Sequence, residues 1–206
     1  MEQNKRLGGW QCWVDLYKDY VIKTPKNRGE IKEKIEEFLK WENKLEELDK
    51  RTNKMISDIK DSTRIIKKSK ISRKYLANLE FLENGKVRQK KVIPLDEFLI
   101  RLKEKERLIL IGKIMKFLLK LWSYGIHEKT FKLFSNFGID NDKIVLIDVF
   151  EITSNKTKVL KQIKKRSWKN ADSYKKYLSK KEIDYLIKKM NQTLTEKNLN
   201  RYWKTK

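Results

Sequence analysis

The stretches LILIGKIMKFLLKLWSYG (108–125), HEKTFKLFSNFGIDND (127–142) and KIVLIDVFE (143–151) decide the fold. The first is long and apolar enough for a buried helix, and the second is polar. The third starts with an apolar run too short for a helix, which favours a strand. Asp148 follows that run directly, and a buried carboxylate is costly without a cation or hydrogen-bond donors. Asp148 and Asn136, near the end of the polar stretch, therefore form a candidate pair of oxygen ligands for a divalent cation.

The composition is that of a globular and strongly basic chain. Its 206 residues are 39% hydrophobic and 11% aromatic, which suffices for one large domain or for one domain in two lobes. A net charge of +23 favours polyanionic partners, namely nucleic acid, phosphorylated substrates or anionic lipid surfaces. The alternative is a general lysine bias, because lysine greatly outnumbers arginine here and specific phosphate sites tend to use arginine.

Cysteine usage and hydropathy limit the cellular compartments that the sequence fits. The single cysteine, Cys12, excludes an intramolecular disulfide and a cysteine-cluster metal site, and it fits a reducing compartment. The sequence begins with no apolar signal segment, and Lys113, Lys116 and Lys120 interrupt its most apolar helix. We therefore expect a cytoplasmic protein without a transmembrane segment.

The N-terminal part predicts a β-hairpin. WQCWVDLY (10–17) and YVIK (20–23) are aromatic and β-branched runs separated by a two-residue turn. Gly8 and Gly9 precede the first run, where glycines let a backbone approach a phosphate, although a glycine pair is equally common in turns. Lys23 closes the second run, where it is either solvated or held inward for a phosphate.

Residues 29–50 have the period of an amphipathic helix. Most of their acids lie off the apolar stripe, but Glu42 projects onto its centre, where an acid needs a basic partner. We expect that partner to be Lys23, since the hairpin should pack on this face. The alternative is that Glu42 lies beyond the packed part of the helix. The basic segment 51–74 is expected to be a mobile or helical connector.

The remaining segments predict a second hairpin and several helices. Asn84 and Gly85 form the strongest short hairpin signal, between two strand-like runs within residues 75–100. A central helix is expected over about 102–124, and basic helices over 155–206. The sequence thus predicts an α+β protein with a small antiparallel sheet.

Taken in order, these elements resemble the protein-kinase-like fold, in a small and diverged form, over about residues 7–152. Gly8 and Gly9, with the strand that follows them, are similar to a glycine-rich loop. Lys23 is similar to the strand lysine that holds nucleotide phosphates, and Glu42, nineteen residues later, to its partner on the helix.

The second half of the resemblance concerns the metal. Residues 90–98 are similar to the hinge between lobes, and Asn136 to the catalytic-loop asparagine. LIDVF at 146–150 is similar to the metal-binding aspartate motif, with Asp148 twelve residues after Asn136. The resemblance implies that ATP and Mg²⁺ are the cofactors, with Asn136 and Asp148 as the Mg²⁺ ligands. It implies nucleotide-binding roles for Gly8, Gly9, Lys23 and Glu42.

The same resemblance implies two lobes. The first, 1–95, would contain the small antiparallel sheet and one helix. The second, 96–206, would be mostly helical and would include the loop 126–142 and the strand 143–149. The features are nearer to compact bacterial small-molecule, lipopolysaccharide-type and atypical kinases than to eukaryotic signalling kinases.

The chain departs from the family pattern at the catalytic loop. No His-Arg-Asp triplet is present, and counting back five residues from Asn136 places Phe131 where the catalytic aspartate would stand. Glu128 is the nearest acid and would substitute for it only in a longer loop, and the Asp148 motif lacks its glycine. Two possibilities stay open. One is a phosphotransferase that uses Glu128, Asn136 and Asp148 in a non-standard loop, and the other is an inactive, nucleotide-binding pseudokinase.

A different class of function is a nucleic-acid-binding protein. Between residues 156 and 181 there are eleven Lys or Arg against one Asp, and aromatic side chains are interleaved with them. Such helices would grip an RNA or DNA backbone in a salt-sensitive and sequence-tolerant way. An anionic membrane surface is a weaker alternative. The aromatic residues concerned are Trp168, Tyr174, Tyr177, Tyr185, Tyr202 and Trp203.

Overall fold

The computed structural model of the chain describes residues 5–170 and 172–204. It is an α+β fold, as predicted. The first sheet is antiparallel, with five strands in the order β1-β2-β3-β5-β4. These strands are β1 (Lys5–Gly8), β2 (Cys12–Leu16), β3 (Tyr20–Pro25), β4 (Glu80–Phe81) and β5 (Val87–Lys90).

Both predicted hairpins are present in this sheet. Strands β2 and β3 pair around a tight turn, and β4 pairs with β5. The second connection contains Asn84 and Gly85 with φ of 54° and 73°. These are the left-handed conformations that asparagine and glycine adopt at least cost.

Two helices follow β3 and pack against each other: α1 (Arg28–Glu42) and α2 (Leu48–Lys68). The predicted single helix over 29–50 is wrong. Asn43 adopts φ of 53° and its N–H caps the carbonyls at the end of α1, so the chain turns there. Leu45, which a helix continued to residue 50 would have placed on the apolar stripe with Ile31 and Ile35, is consequently 46% exposed.

Helix α2 occupies most of the basic segment 51–74. Of the two expectations for that segment, the helical one is confirmed. One face of α2 is buried, including Ile59, Ser62 and Ile66. The segment is therefore a core element that happens to carry exposed lysines, and not only a connector.

Two small sheets and six α-helices provide the remaining strands and α-helices of the described chain. Strands β6 (Ile93–Pro94), β8 (Phe137–Asp140) and β9 (Lys143–Leu146) form one sheet, and β7 (His127–Glu128) pairs with β10 (Ile152–Thr153) in the other. The helices are α3 (Leu95–Leu99), α4 (Glu104–Trp122), α5 (Leu133–Asn136), α6 (Lys156–Lys165), α7 (Lys180–Thr193) and α8 (Glu196–Tyr202).

Helix α4 is the predicted central helix. Eight of its residues are buried, and it packs against α7 and α8. Lys113, Lys116 and Lys120 are exposed on one stripe, as expected. Across the described ranges, no helix combines the length and the apolarity needed to cross a membrane.

Candidate functional site

The strand that delivers Asp148 is tied directly to Asn136. The backbone N–H groups of Ile147 and Asp148 both donate to the carbonyl oxygen of Asn136, at 2.9 and 3.1 Å. Since α5 ends at Asn136 and β9 ends at Leu146, the two hydrogen bonds hold these element ends side by side. The structure therefore brings together the two residues that the sequence paired as candidate ligands.

Lys23 reaches the same place from the first sheet. It lies in β3 opposite Val14 of β2 and Val87 of β5, and it is only 9% exposed. Its Nζ donates a hydrogen bond to the carbonyl oxygen of Ile147 at 2.5 Å. A buried ammonium needs such an acceptor. Of the two expectations for Lys23, the inward orientation is the one that the structure contains.

Asp148 is a half-buried residue. Its Oδ1 accepts a hydrogen bond from the backbone N–H of Phe150 at 3.0 Å. Loss of surrounding water raises the pKa of Asp148, Lys23 opposes this shift, and Glu151 adds to it. A cation beside this carboxyl would favour its ionised form. The electrostatics at Asp148 therefore suit a bound cation.

A buried polar cluster lies on the other side of Asn136. The Asn136 Nδ2 donates to Glu128 Oε1 at 3.1 Å and to Glu151 Oε2 at 3.0 Å. Lys132 Nζ donates to Glu151 Oε1 at 2.9 Å. Glu151 is a member of this cluster that was not predicted from the sequence. The available signal was its place three residues after Asp148, where a second acid enters the same buried segment.

The hydroxyl of Thr130 lies between the two acids of this cluster. Its Oγ1 lies within hydrogen-bond distance of both Glu128 Oε1 and Glu151 Oε2. A threonine hydroxyl has one proton to donate, so the two contacts are satisfied either by sharing of that proton or by protonation of one carboxyl. Burial raises the pKa of Glu128 to about 7. Glu128 is therefore the carboxyl that we expect to carry the proton near neutral pH.

Glu128 faces the protein interior. It is 0% exposed, and its Oε2 accepts from the backbone N–H of Phe131 at 2.8 Å while its Oε1 accepts from that of Thr130 at 2.8 Å. These bonds brace the loop that follows β7. In this geometry the Glu128 carboxyl has no open path to a substrate hydroxyl.

Phe131 stands where the family pattern would place an acid, and its environment is apolar. Its ring is buried and meets His127 and Trp168 edge-on. Its backbone has φ of 57°, an unfavourable region for a bulky residue, and Tyr174 donates its hydroxyl to the Phe131 carbonyl at 2.8 Å. Strain of this kind persists where surrounding contacts over-determine it.

His127 is buried beside this loop. Its Nδ1 accepts a hydrogen bond from Trp122 Nε1 at 3.0 Å, and its backbone pairs with Thr153 of β10. Burial lowers the pKa of His127 to about 3, and the neighbouring side chain of Gln162 partly opposes the shift. His127 is thus a neutral packing residue at physiological pH.

Glu42 lies apart from Lys23, and the predicted pairing of these two residues is wrong. Glu42 Oε2 is 3.1 Å from Arg51 Nη2 and 3.8 Å from Lys44 Nζ. The reason is that α1 ends at Glu42, the chain turns at Asn43, and α2 then brings Arg51 alongside. This is the alternative in which Glu42 lies beyond the packed part of the helix.

Of the two glycines near the N-terminus, Gly8 ends β1 opposite Trp13 and Gly9 begins the turn to β2. Gly9 donates its N–H to the Cys12 carbonyl at 2.9 Å. A Cβ added to Gly8 would lie 2.8 Å from the Trp13 ring. Close packing of Trp13 therefore already accounts for one of these glycines, independently of any phosphate.

The donor set suits Mg²⁺ better than a metal held by a full protein cage. Within residues 5–170 and 172–204, no group of three or more His, Cys, Asp or Glu is arranged to hold a metal ion. Mg²⁺ is usually bound by one or two protein oxygens together with substrate phosphates and water. Because the Asn136 Nδ2 donates to Glu128 and Glu151, its Oδ1 is the amide atom left to bind a cation.

No family model and no curated protein matches the chain. Nineteen chains of solved structures match it. One of them is the complex of Rv3197 with erythromycin from Mycobacterium tuberculosis, which is 12% identical with a TM-score of 0.47. The alignment covers 92% of this chain and 55% of that chain, so the protein spans about half the length of that relative. A likeness this distant carries no argument about activity.

Proposed function

We propose that the chain is a small, two-lobed, kinase-like protein that binds ATP with Mg²⁺ between a lobe at 1–95 and a lobe at 96–206. The observation that carries the proposal is the position of Lys23. Its ammonium lies on the backbone of Ile147, next to Asp148, and Asp148 is in turn tied to Asn136. One amine and one carboxyl thus lie close together, and the backbone of Asn136 is hydrogen-bonded to the segment that carries the carboxyl. This supports the proposal, because binding of a metal-bound triphosphate needs an amine and oxygen ligands in one place.

Lys23 would bind the nucleotide phosphates. In the structure its acceptor is the neutral carbonyl of Ile147, and a hydrogen bond from ammonium to an ionised phosphate is stronger than one to a neutral carbonyl. Exchange of one acceptor for the other would therefore be favourable. Asp148 and Asn136 would hold Mg²⁺, which supplies charge neutralisation for the phosphate oxygens when it is bound.

The catalytic loop supports nucleotide binding more strongly than phosphate transfer. Phe131 occupies the position of the missing acid, and the Glu128 carboxyl is fully buried. General-base assistance typically contributes about 10²- to 10⁴-fold to a rate. We infer a slow phosphotransferase or a nucleotide-binding pseudokinase, with Glu128 as a brace for the loop and not as the base.

Binding of Mg·ATP, measured by calorimetry and by thermal shift, tests the proposal. We expect saturable binding that needs Mg²⁺ and that weakens by about tenfold or more in Lys23→Met and in Asp148→Asn, since each change removes a charge that meets the ligand. Lys86 is an exposed lysine directly before β5. Lys86→Met is therefore the matched control and should bind Mg·ATP as the natural chain does. A folded protein that binds no nucleotide would overturn the proposal.

Cys12 gives an independent readout of the same site. It is the only cysteine, and the charges of both Lys23 and Asp148 act on its thiol. Burial raises the pKa of Cys12 to about 11, so alkylation is expected to be slow at pH 7 and faster at pH 9. Mg·ATP should slow alkylation at pH 9. Equal alkylation rates with and without Mg·ATP would mean that the nucleotide binds at another site or does not bind.

Polyanion binding is a second candidate, supported by helix α6 and the residues after it. Within the described chain, Lys158, Lys161, Lys164 and Lys165 are exposed and form no ion pair. The expected stacking on aromatic side chains is less well supported, because three of the six aromatic residues are buried. Those three are Trp168, Tyr174 and Trp203.

Salt dependence tests this second candidate. Contacts to a phosphate backbone release counterions, so binding to mixed RNA or heparin should fall steeply as salt rises. Changing Lys161 and Lys165 to Glu should lower the slope of log K against log salt, whereas changing Lys113 and Lys116 on α4 should leave it closer to the natural value. Weak retention even at low salt would remove this candidate.

A further inference from the structure

A cavity with a volume of about 530 Å³ lies between β3, α1, α2 and the turn that joins β4 to β5. Its floor is apolar. Ile31 comes from α1, Ile56 and Ile59 come from one face of α2, and Pro25 ends β3. Gly85 lines the cavity from the turn, where a Cβ added to it would lie 3.9 Å from the Pro25 side chain. None of the candidate nucleotide residues lines it.

The rim of the cavity is cationic. Of the described residues that line it, none is acidic, and four basic side chains project from α2. Lys60, Lys67 and Lys68 are exposed and form no ion pair within the described chain. Arg64 is paired with Asp61 at 2.7 Å. Three positive charges without an ion-pair partner therefore stand beside an apolar floor, and one of them, the Nζ of Lys67, lies over the Phe81 ring at 4.9 Å.

This combination points to an amphipathic anion. Pockets of about 300–1,000 Å³ bury most of a small-molecule ligand, with apolar walls and a few orienting polar groups. An alkyl chain would cover Ile56 and Ile59 and remove apolar surface from water. A phosphate or carboxylate head at the rim would meet Lys60 and Lys67 through charge-assisted hydrogen bonds.

We propose that this cavity binds a ligand with a single alkyl chain and an anionic head group. The site is separate from the proposed nucleotide site in its residues, so either proposal can fail without the other. The two sources of such chemistry are a fatty acid and a single-chain lipid phosphate. They differ in the head group, which the experiment separates.

Calorimetric titration below the micellar concentration tests the binding with four probes. We expect saturable 1:1 binding of dodecyl phosphate or dodecanoate, and the tighter of the two identifies the source. Inorganic phosphate has only the head, and dodecyl maltoside has only the chain. Each of these is expected to bind about tenfold more weakly or worse, since each loses one half of the recognition.

Matched double variants show whether the cavity is responsible. Lys60→Glu with Lys67→Glu reverses two rim charges and should weaken dodecyl phosphate binding about tenfold or more. Lys50→Glu with Lys188→Glu changes the net charge equally at exposed positions away from the cavity lining, and should change the affinity by about twofold or less. Ile56→Ser keeps the charges and should weaken the alkyl probes only.

Three results would overturn the proposal. The first is the absence of saturable binding by both anionic alkyl probes. The second is an equal loss of affinity in the two double variants, which would mean unspecific attraction to a basic protein. The third is an acidic amphipathic peptide binding at this rim more tightly than either alkyl anion. Circular dichroism of each variant keeps these results separate from unfolding.

Discussion

The Nζ of Lys23 donates a hydrogen bond to the carbonyl oxygen of Ile147, across 124 positions of sequence. This contact joins the first sheet to the strand end that carries Asp148. It places a buried positive charge where it opposes the rise in the pKa of the Asp148 carboxyl. A lysine on the surface of the sheet would do neither. The contact is therefore the point at which fold and candidate function depend on the same side chain.

Removing the Lys23 charge should destabilise the protein more at high pH than at low pH. In Lys23→Met the pKa of Asp148 rises further, because Lys23 no longer opposes the effect of burial. A carboxyl whose pKa is raised on folding contributes stability at low pH, and that contribution is lost as pH rises through its folded pKa. We expect a loss of at least ~1 kcal/mol in unfolding free energy at pH 8 and a smaller one at pH 4.

Urea denaturation at the two pH values measures this difference. Lys26→Met is the control, because Lys26 is next to β3 but its Nζ lies over the Trp13 ring, 4.3 Å from the centroid, and not on Ile147. Its effect should be similar at both pH values. An equal loss for Lys23→Met at pH 4 and pH 8 would contradict the coupling to Asp148.

His127 should make the protein sensitive to acid. Burial lowers the pKa of His127 to about 3 from an ordinary value of 6.5. A depressed pKa contributes stability that is present above 6.5 and is lost as pH falls toward 3. In His127→Gln the group no longer titrates, while the amide oxygen can still accept from Trp122. Between pH 7 and pH 4 the natural chain should lose about 3 kcal/mol more than this variant.

Unfolding curves followed by tryptophan fluorescence at several pH values provide the measurement. The slope of stability against pH is the informative quantity, because a purely structural loss shifts all pH values equally. Parallel curves for the natural chain and His127→Gln would show that His127 does not titrate in this window.

Titration of Glu128 should change the stability of the protein with pH in the direction opposite to that of His127. Its pKa is raised to about 7 from 4.5, chiefly by burial, so its contribution to stability is present below pH 4.5 and is lost as pH rises toward 7. Glu128→Gln keeps the shape of the protonated carboxyl and does not titrate. Relative to the natural chain, this variant should therefore become progressively more stable between pH 4.5 and pH 8.

Glu128→Gln also distinguishes a structural role of Glu128 in the loop from a role as general base. If Glu128 only holds the loop, Mg·ATP binding should survive in Glu128→Gln, and any phosphate transfer should change little at pH 6, where the natural carboxyl is also protonated. Glu46→Gln, at an exposed position, controls for the loss of one negative charge. If Glu128→Gln loses phosphate transfer at pH 6 but still binds Mg·ATP, Glu128 takes part in the transfer reaction.

The sequence predicted the features that local patterns determine. The hairpins follow from alternating aromatic and β-branched runs with turn residues between them, and α4 follows from its apolar length. Ser179 with Glu182 has the sequence of a capping box, which α7 indeed begins with. Adjacency of Asn136 and Asp148 was expected, but its cause was not. The predicted loop 126–142 contains β7, α5 and β8, and pairing of Phe137 with Leu146 in the β8–β9 hairpin brings the residues that flank the hairpin together.

Long-range pairing was less predictable. Helical projection placed Glu42 on an apolar face, but the projection assumed that the helix continued to residue 50. Asn43 ends it by adopting a left-handed conformation, which asparagine permits and does not require. The partner of Glu42 then depends on where α2 lies. The cluster of Glu128 and Glu151 was difficult to predict for the same reason. The hydrogen-bond partners of each carboxyl include residues that only the tertiary structure brings close.

Ser62 should control the segment that follows Asp148. Its hydroxyl is buried in α2, donates to the Phe150 carbonyl at 2.8 Å and accepts from the Ile152 N–H at 3.3 Å. Ser62→Ala leaves both backbone groups buried without their partner, which costs about 1–3 kcal/mol. Faster amide exchange should accompany the loss, and it should be concentrated in the segment 148–152 because the hydroxyl bonds no other part of the chain.

Ser57→Ala on the same helix is the matched control, because its hydroxyl is exposed and its only described bond, to Asp61, is long at 3.5 Å. It should change stability by less than about 0.5 kcal/mol. Mg·ATP affinity should fall in Ser62→Ala and not in Ser57→Ala, since the position of the Asp148 carboxyl depends on the backbone that Ser62 anchors. A stability loss with unchanged affinity and uniform exchange would mean that Ser62 supports the core without positioning Asp148.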